Sequence, residues 1–229
     1  MAAKAPKSGA EASARPRLLF PREPGWQFSL MLLLEVAFLF GAIPALTMGG
    51  TDRDLVRLLQ FVLAGVAIAL IAKSSWLRLG LAISFALTLL ASLLPDRLPI
   101  AVLGMGFAYN SLLTAVTANA VFGRGEVNHH RIAGAVFIYL NVALLFALAY
   151  AALRVINPEA LSGLAADAPV RLSEMVHFSF ATLTTIGDHS ISPYSPFAKS
   201  LTDLETVVGH LFPAILLARL VGLHVTRSQ

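Results

Sequence analysis

The stretch MVHFSFATLTTIGDHSISP, residues 175–193, decides the fold of this chain. Its apolar part, 175–186, is much shorter than the about 20 residues that a membrane-spanning helix needs. It lies within the connection 157–199, between two long apolar segments. Irregular backbone at membrane depth is tolerated only where protein buries it or where it lines a water-filled path. The pattern therefore predicts a helix, a re-entrant loop that leaves on the side it entered, and a second helix.

Six longer apolar segments surround this stretch and predict six transmembrane helices, with the re-entrant helix between the fifth and the sixth. The composition agrees, because 57% of residues are hydrophobic, 13% are charged and the mean hydropathy is +0.74. Soluble domains carry about 25% charged residues. The predicted fold class is an all-α membrane protein. The six segments are 26–48, 55–72, 77–94, 99–122, 132–156 and 200–224.

The basic residues predict the orientation of the chain in the membrane. Residues 1–25 are rich in Ala, Pro, Ser, Lys and Arg and are predicted to form a disordered, basic, cytoplasmic tail. With this tail inside, eleven of the 17 Lys and Arg residues lie on the cytoplasmic side, as the positive-inside rule favours. Both termini are then cytoplasmic, and the connection 157–199 faces outward. The first apolar segment is too long for a typical signal peptide and lacks a clear cleavage site.

The sequence offers little to an enzyme or to a nucleic-acid-binding protein. It contains no Cys, no HExxH motif, no phosphate-binding glycine loop and no recognisable Ser/His/Asp triad, so neither an enzyme nor a cofactor nor a small-molecule substrate is expected. The net charge of +4 comes from residues that lie between apolar segments, so no nucleic-acid partner is expected. The adjacent His129 and His130 cannot face one direction on a helix, so a metal site there is not expected. Glu35, Asn110 and Asn141 are expected to join helices by hydrogen bonds.

Residues 182–193, TLTTIGDHSISP, resemble the pore loop of potassium channels, in which T-L-T-T-[IVL]-G-Y-G-D-I-x-P follows an aromatic-rich helix. Further segments resemble the inner helix of that family: 195–200, 204–209 and, most like bacterial members, 216–223. The resemblance covers about 126–225. It implies a homotetramer in the cell membrane, with a bacterial inner membrane as the expected location. It divides the chain into a four-helix domain, 26–122, and a pore domain, 126–225, with outer helix 132–156, pore helix 172–183, filter 184–189 and inner helix 200–224.

The resemblance also implies which residues contact ions. Four chains can surround a dehydrated cation with backbone carbonyls. Thr185 would offer a hydroxyl and a carbonyl, and Ile186 a carbonyl, while Gly187 permits unusual backbone dihedral angles. The expected permeant ions are K⁺, Na⁺ or both, bound at Thr185, Ile186 and Asp188. The whole predicted filter comprises Thr184, Thr185, Ile186, Gly187, Asp188 and His189.

The filter departs from the potassium-selective pattern at three positions. Asp188, His189 and Ser190 stand where the family has Tyr, Gly and Asp. An acidic residue at the position of Asp188 also resembles a bacterial sodium–potassium channel without selectivity. The departures predict weak or no selectivity among monovalent cations, and a ring of four Asp188 side chains that attracts cations. His189 is either a sensor of external pH or, as we favour, a simple replacement for Gly at a solvated mouth.

Gating residues are less clearly marked. The fourth segment, 99–122, contains no Lys or Arg, so it is not expected to sense voltage. Gly209 and Pro213 could form either a moving hinge or a fixed kink. Glu205, a carboxylate within the sixth segment, is expected to brace the filter by a hydrogen bond rather than to contact ions.

Two other classes of membrane protein remain alternatives. A non-conducting accessory subunit could keep the channel fold with a degenerate filter. Acidic residues of the outer loop favour conduction because they would concentrate cations. An ordinary solvated loop also explains all of them except Asp188. A secondary transporter would show broken helices in two inverted repeats, whereas this sequence has one re-entrant segment. The acidic residues are Glu159, Asp167, Glu174 and Asp188.

Overall fold

The computed structural model describes residues 25–42, 75–93, 99–123, 128–165, 167–187 and 190–227. These residues are mostly helical, with one two-stranded antiparallel sheet. A five-residue π-helical turn, Phe38–Ala42, continues the first helix. In chain order the elements are α1 (Trp26–Ala37), the π turn, α2 (Ser75–Leu93), α3 (Pro99–Phe122), α4 (His129–Ile156), β1 (Leu161–Ser162), α5 (Leu172–Leu183), β2 (Ser192–Pro193) and α6 (Pro196–Arg227).

Three of the described helices are long and apolar enough to cross a membrane. The spans are Ile100–Phe122 in α3, His129–Ile156 in α4 and Pro196–Ala218 in α6, while the apolar helix Trp26–Gly41 is shorter. The chain is therefore a membrane protein. The predicted second segment, 55–72, and all but the last residue of the predicted tail, 1–25, lie outside the described residues.

Several helix boundaries differ from the predicted ones for local reasons. The fifth segment was expected to start at residue 132, but α4 starts at His129 because Asn128 caps it, its Oδ1 accepting from the Arg131 N–H at 2.9 Å. The sixth was expected at residue 200, but α6 starts at Pro196, a residue suited to the first helical position. The first helix keeps α geometry only to Ala37, where the π turn begins.

Helices α1, α3 and α4 pack closely at one small residue. A Cβ at Gly134 of α4 would lie 2.5 Å from Val121 Cγ2 of α3 and 3.2 Å from Phe28 Cγ of α1. Small residues at such crossings let membrane helices approach. Asn141 donates its Nδ2 hydrogen to Thr114 Oγ1 at 2.8 Å, so the expected interhelical role of Asn141 is confirmed. Asn110 instead donates its side-chain hydrogen within its own helix, to Gly106 O.

A second core holds the short helix α5. Met175, Val176 and Phe178 are buried against Leu144, Ala147, Leu148 and Tyr150 of α4. Phe38 and Leu39 of the π turn belong to the same cluster. The short helix is therefore packed against α4, α6 and the π turn after α1, which determines where the residues after Leu183 lie.

Candidate functional site

The residues after α5 turn back beneath the end of that helix. The Thr184 N–H donates to Phe180 O at 2.9 Å, and the Thr185 N–H to Thr182 O at 3.0 Å. The Gly187 N–H donates to Ala181 O at 3.0 Å. Three of the four amide groups in 184–187 therefore point toward α5.

The backbone of 184–187 has an unusual conformation. Thr184 has φ −86°, Thr185 has φ +61° and Gly187 has φ +77°, and Thr185 is the one non-glycine residue with positive φ among those described. A β-branched residue at positive φ is a genuine outlier, and such strain costs about 1–3 kcal/mol and is concentrated at functional sites. Sequence reasoning assigned the special dihedrals to Gly187 and missed Thr185, because a Thr carries no signal for them.

The carbonyl groups of 184–187 differ from those of the helix that precedes them. Within the described chain, the carbonyls of 184–187 accept no hydrogen bond. The Ile186 side chain is 79% exposed. The segment therefore offers several free oxygen atoms on the surface of the described chain.

The end of α5 adds a favourable electrostatic field. Its C-terminal residue, Leu183, immediately precedes the strained segment, and the C-terminal end of a helix carries a partial negative charge. The Thr184 hydroxyl donates to Phe180 O at 2.6 Å, so it helps to close the last turn. Oxygen atoms beside the negative end of a helix are suited to binding a cation.

The structure brings together four of the six predicted filter residues, Thr184, Thr185, Ile186 and Gly187, in one turn. The other two, Asp188 and His189, lie outside the described residues, so the predicted acidic ring stays a prediction. The described chain resumes at Ser190. The Tyr194 and Ser195 N–H groups then both donate to Ala160 O, at 2.9 and 3.1 Å, and so join the returning chain to the segment before α5.

Glu205 lies behind α5 and connects three helices. Its side chain is fully buried. Tyr150 Oη of α4 donates to Glu205 Oε2 at 2.7 Å, and Ser179 Oγ of α5 contacts Glu205 Oε1. Ser179 Oγ also lies 2.7 Å from Ala143 O of α4. The described contacts of Glu205 thus join α6 to α4 and α5, and none is to the segment 184–187. The predicted support of the filter by Glu205 stays a prediction.

The hydrogens in this network can be counted. A carbonyl oxygen cannot donate, so the contact between Ser179 Oγ and Ala143 O uses the single hydroxyl hydrogen of Ser179. The contact between Ser179 and Glu205 then becomes a hydrogen bond only if the carboxyl group of Glu205 supplies a hydrogen. A neutral carboxyl group at Glu205 satisfies every contact, whereas a carboxylate leaves one unmade.

Gly209, one turn beyond Glu205, makes the closest approach between α5 and α6. A Cβ at this position would lie 2.0 Å from Leu183 O and 2.8 Å from Leu183 C. Tyr139 Oη of α4 donates to the same Leu183 oxygen at 3.2 Å. Gly209 was predicted as a bending point, and the structure assigns it the task of close packing. Pro213 lies inside α6, which runs as one helix from Pro196 to Arg227.

The outer connection is held by a buried arginine that sequence reasoning missed. Arg154 is 3% exposed, and its guanidinium donates to Pro158 O at 2.9 Å and to Ala165 O. The strands β1 and β2 pair Leu161 with Pro193 and Ser162 with Ser192. This sheet ties the chain before α5 to the chain that returns after residue 187.

The acidic residues of this connection differ in their surroundings. Glu159 and Asp167 are exposed. Glu174 lies 3.6 Å from Arg171, in an ion pair across one turn of α5. Part of the negative charge expected to concentrate cations is therefore balanced locally.

One face of α6 is apolar and uncovered within the described chain. Only 11% of its membrane-length window is buried. The exposed large apolar side chains of this face, 52–68% accessible, are Phe197, Leu204, Val207, Leu211 and Ile215.

The end of α1 touches the helix that carries the site. The ring of Phe40, in the π turn that continues α1, lies 5.5 Å from the ring of Phe180. The backbone carbonyl of Phe180 accepts the hydrogen bond from the Thr184 N–H. We expect Phe40→Ala to lower the free energy of unfolding by about 0.5–1.5 kcal/mol, the value of an aromatic pair. Thermal unfolding followed by circular dichroism in detergent measures this change. Leu33→Ala, on the same helix and 64% exposed, is the control, and an equal loss there would contradict the assigned contact.

Comparison with known proteins gives no family for this chain. No model of a known protein family matches it, and a search of curated proteins finds no significantly similar sequence.

Proposed function

We propose that this protein is one subunit of a homotetrameric cation channel with weak or no selectivity among monovalent cations. The observation that carries the proposal is the conformation of 184–187, with positive φ at Thr185 and Gly187 and with carbonyls that are unpartnered in the described chain. A pore that replaces the hydration shell of an ion requires such a row of oxygen atoms. The resemblance of 182–193 to the potassium-channel pore loop supports the same assignment.

The tetramer follows from what a single chain lacks. One chain contributes one strand of oxygen atoms, on its own surface, and a cation must be coordinated from several sides. The apolar face of α6 is uncovered beside that strand, and neighbouring subunits would cover part of it. Four copies arranged around one axis satisfy both requirements, with membrane lipid around the outside.

Selectivity in the proposed channel depends on the two residues outside the described ranges. Without the Tyr and the second Gly of the family pattern, the inner positions at Thr185 and Ile186 would remain as ion sites. Asp188 would form a wider acidic ring above them, and His189 would lie near its mouth. A ring of carboxylates attracts divalent as well as monovalent cations.

The proposal is tested by reversal potentials of the purified protein in planar bilayers, under sodium and potassium gradients, with and without calcium. We expect similar sodium and potassium permeability. We also expect calcium to block the current, and Asp188→Asn to weaken that block roughly tenfold or more, equivalent to about 1.4 kcal/mol. Glu159→Gln, which removes an exposed charge from the same connection, is the matched control and should leave the block near its original strength.

Two results would contradict the proposal. Strict potassium selectivity would show that the outer filter positions bind ions despite their departures from the family pattern. No current from a verified tetramer would favour the accessory-subunit alternative, and the next question would be which conducting partner it joins.

A further inference from the structure

Helices α1, α3 and α4 bury oxygen atoms that no hydrogen bond satisfies among the described residues. Glu35 of α1, Tyr109 of α3 and Asn141 of α4 are 6%, 5% and 1% exposed. Among the described residues, Glu35 Oε1, Tyr109 Oη and Asn141 Oδ1 have no hydrogen-bond partner. Buried polar atoms are nearly always paired, and an unpaired carboxylate is the costliest case. These three atoms, called the Glu35 cluster below, need a partner.

Helix packing places Glu35 and Asn141 at one level. A Cβ at Gly25, just before α1, would lie 3.1 Å from His130 Cβ, and Phe28 of α1 meets Gly134 of α4. The contacts advance together along both chains, so the two helices run in the same direction. Glu35 lies about two turns beyond Phe28, and Asn141 lies about two turns beyond Gly134. Both residues are therefore near the middle of the helix bundle.

Helix α3 brings the third oxygen to this level. Thr114 contacts Asn141 directly, through the 2.8 Å hydrogen bond described above. Tyr109 lies a little more than one turn from Thr114, and it belongs to the same buried cluster as Met31, which is one turn before Glu35 on α1. The three orphan oxygen atoms thus come from three helices that meet at one depth.

The side-chain donors of Asn141, Thr114 and Asn110 are already engaged elsewhere. The Asn141 amide donates to Thr114 Oγ1, and the Thr114 hydroxyl donates to Asn110 O at 2.7 Å. The Asn110 amide donates to Gly106 O at 2.8 Å. In the part of the chain that the structure describes, no Lys, Arg or His forms an ion pair with Glu35. Within the cluster only the Tyr109 hydroxyl still has a hydrogen to donate, against two unpaired acceptor oxygens on Glu35 and Asn141. A positive charge would balance the carboxylate of Glu35.

We propose that the Glu35 cluster binds one monovalent alkali cation, Na⁺ or K⁺, at a site separate from the filter. Carboxylate, amide and hydroxyl oxygens are the ligands that hard cations prefer. A single carboxylate balances a single positive charge, and no group of three or more His, Cys, Asp or Glu residues suited to a multivalent ion occurs among the described residues. Ionisable side chains inside membrane helices usually mark functional sites. The bound cation would join α1, α3 and α4 at one point.

Thermal unfolding in detergent tests this site, and the test does not depend on ion conduction. A ligand that binds only the folded state, present at 100 times its Kd, raises the folded-to-unfolded ratio about 100-fold. We therefore expect the unfolding temperature to rise when NaCl or KCl replaces choline chloride at constant ionic strength. Glu35→Gln should lose that rise, and Tyr109→Phe, which removes one oxygen and keeps the ring, should reduce it.

The matched control is Thr117→Val, because Thr117 is buried on α3 but its hydroxyl is satisfied by Leu113 O at 2.8 Å. It should keep the full rise. A rise of equal size in wild type, Glu35→Gln and Tyr109→Phe would locate the cation elsewhere, the filter included, and would overturn the proposal. No rise in wild type would overturn it too.

An infrared difference spectrum between Na⁺ and choline identifies the occupant. We expect a carboxylate band in Na⁺ that disappears in Glu35→Gln. A carboxylic-acid band that is present in both solutions and is lost in Glu35→Gln would show that a proton occupies the site, and the cation proposal would fall.

Discussion

Gly209→Ala should destabilise the folded protein by about 3 kcal/mol or more and abolish ion flux. The added Cβ would lie 2.0 Å from Leu183 O, and this partner is backbone rather than a flexible side chain. Relief requires α6 to move away from α5. Because Leu183 immediately precedes Thr184, that movement would shift the strained segment 184–187. Circular dichroism during heating in detergent measures the stability, and flux into sealed vesicles measures the function.

The control is Gly106→Ala in α3. Gly106 also lies between packed helices, but a Cβ there would meet Leu148 side-chain carbons at 3.9 Å, an ordinary van der Waals contact. Alanine has the higher helix propensity by about 1 kcal/mol, so this variant should keep or raise the stability. If Gly209→Ala were as stable as the wild type and conducted normally, the close approach of α6 to Leu183 would be wrong. Normal stability with lost flux would instead support a moving hinge at Gly209.

Two substitutions of Glu205 should differ strongly in their effect on the free energy of unfolding. Glu205→Ala removes the group that joins α4, α5 and α6 and leaves the Tyr150 hydroxyl without its carboxyl partner. We expect a loss of about 3 kcal/mol or more, combining a cavity with an unpaired buried group. Glu205→Gln should lose little, because its amide can donate to Ser179 while its carbonyl accepts from Tyr150, the pattern of a neutral carboxyl group.

The same detergent unfolding experiment distinguishes these variants, with Glu174→Gln as the control. Glu174 carries a partly exposed ion pair with Arg171, and such pairs contribute about 0–1 kcal/mol. A large loss in Glu205→Gln, equal to that in Glu205→Ala, would indicate that Glu205 is a carboxylate whose charge is required. Tyr150→Phe should fall between the two, because it removes one of the two side-chain contacts.

Membrane character and the position of the short helix could be predicted from the sequence, because they depend on local properties. A run of apolar residues and its length indicate whether a helix can cross a bilayer. Helix α5 has the expected bounds, 172–183, and α3 the expected 99–122. The boundaries predicted less well, at His129 and Pro196, depend on single capping residues that a hydropathy pattern does not weigh.

The site itself was only partly accessible to sequence reasoning. The motif indicated which residues to examine, but the positive φ of Thr185 arises from hydrogen bonds of 184–187 to α5, and Thr is not a residue that adopts this conformation readily.

Tertiary structure alone decided the tasks of the isolated polar and small residues. Glu205 meets Ser179 and Tyr150, Gly209 meets Leu183, and Glu35 reaches the level of Asn141, all across large separations in the chain. Hydropathy and helix length act between neighbours along the chain, so the sequence determined a membrane protein built of helices. Hydrogen bonding and steric exclusion act between surfaces that meet only after folding, so the partners of these buried groups could be read only from the packed helices.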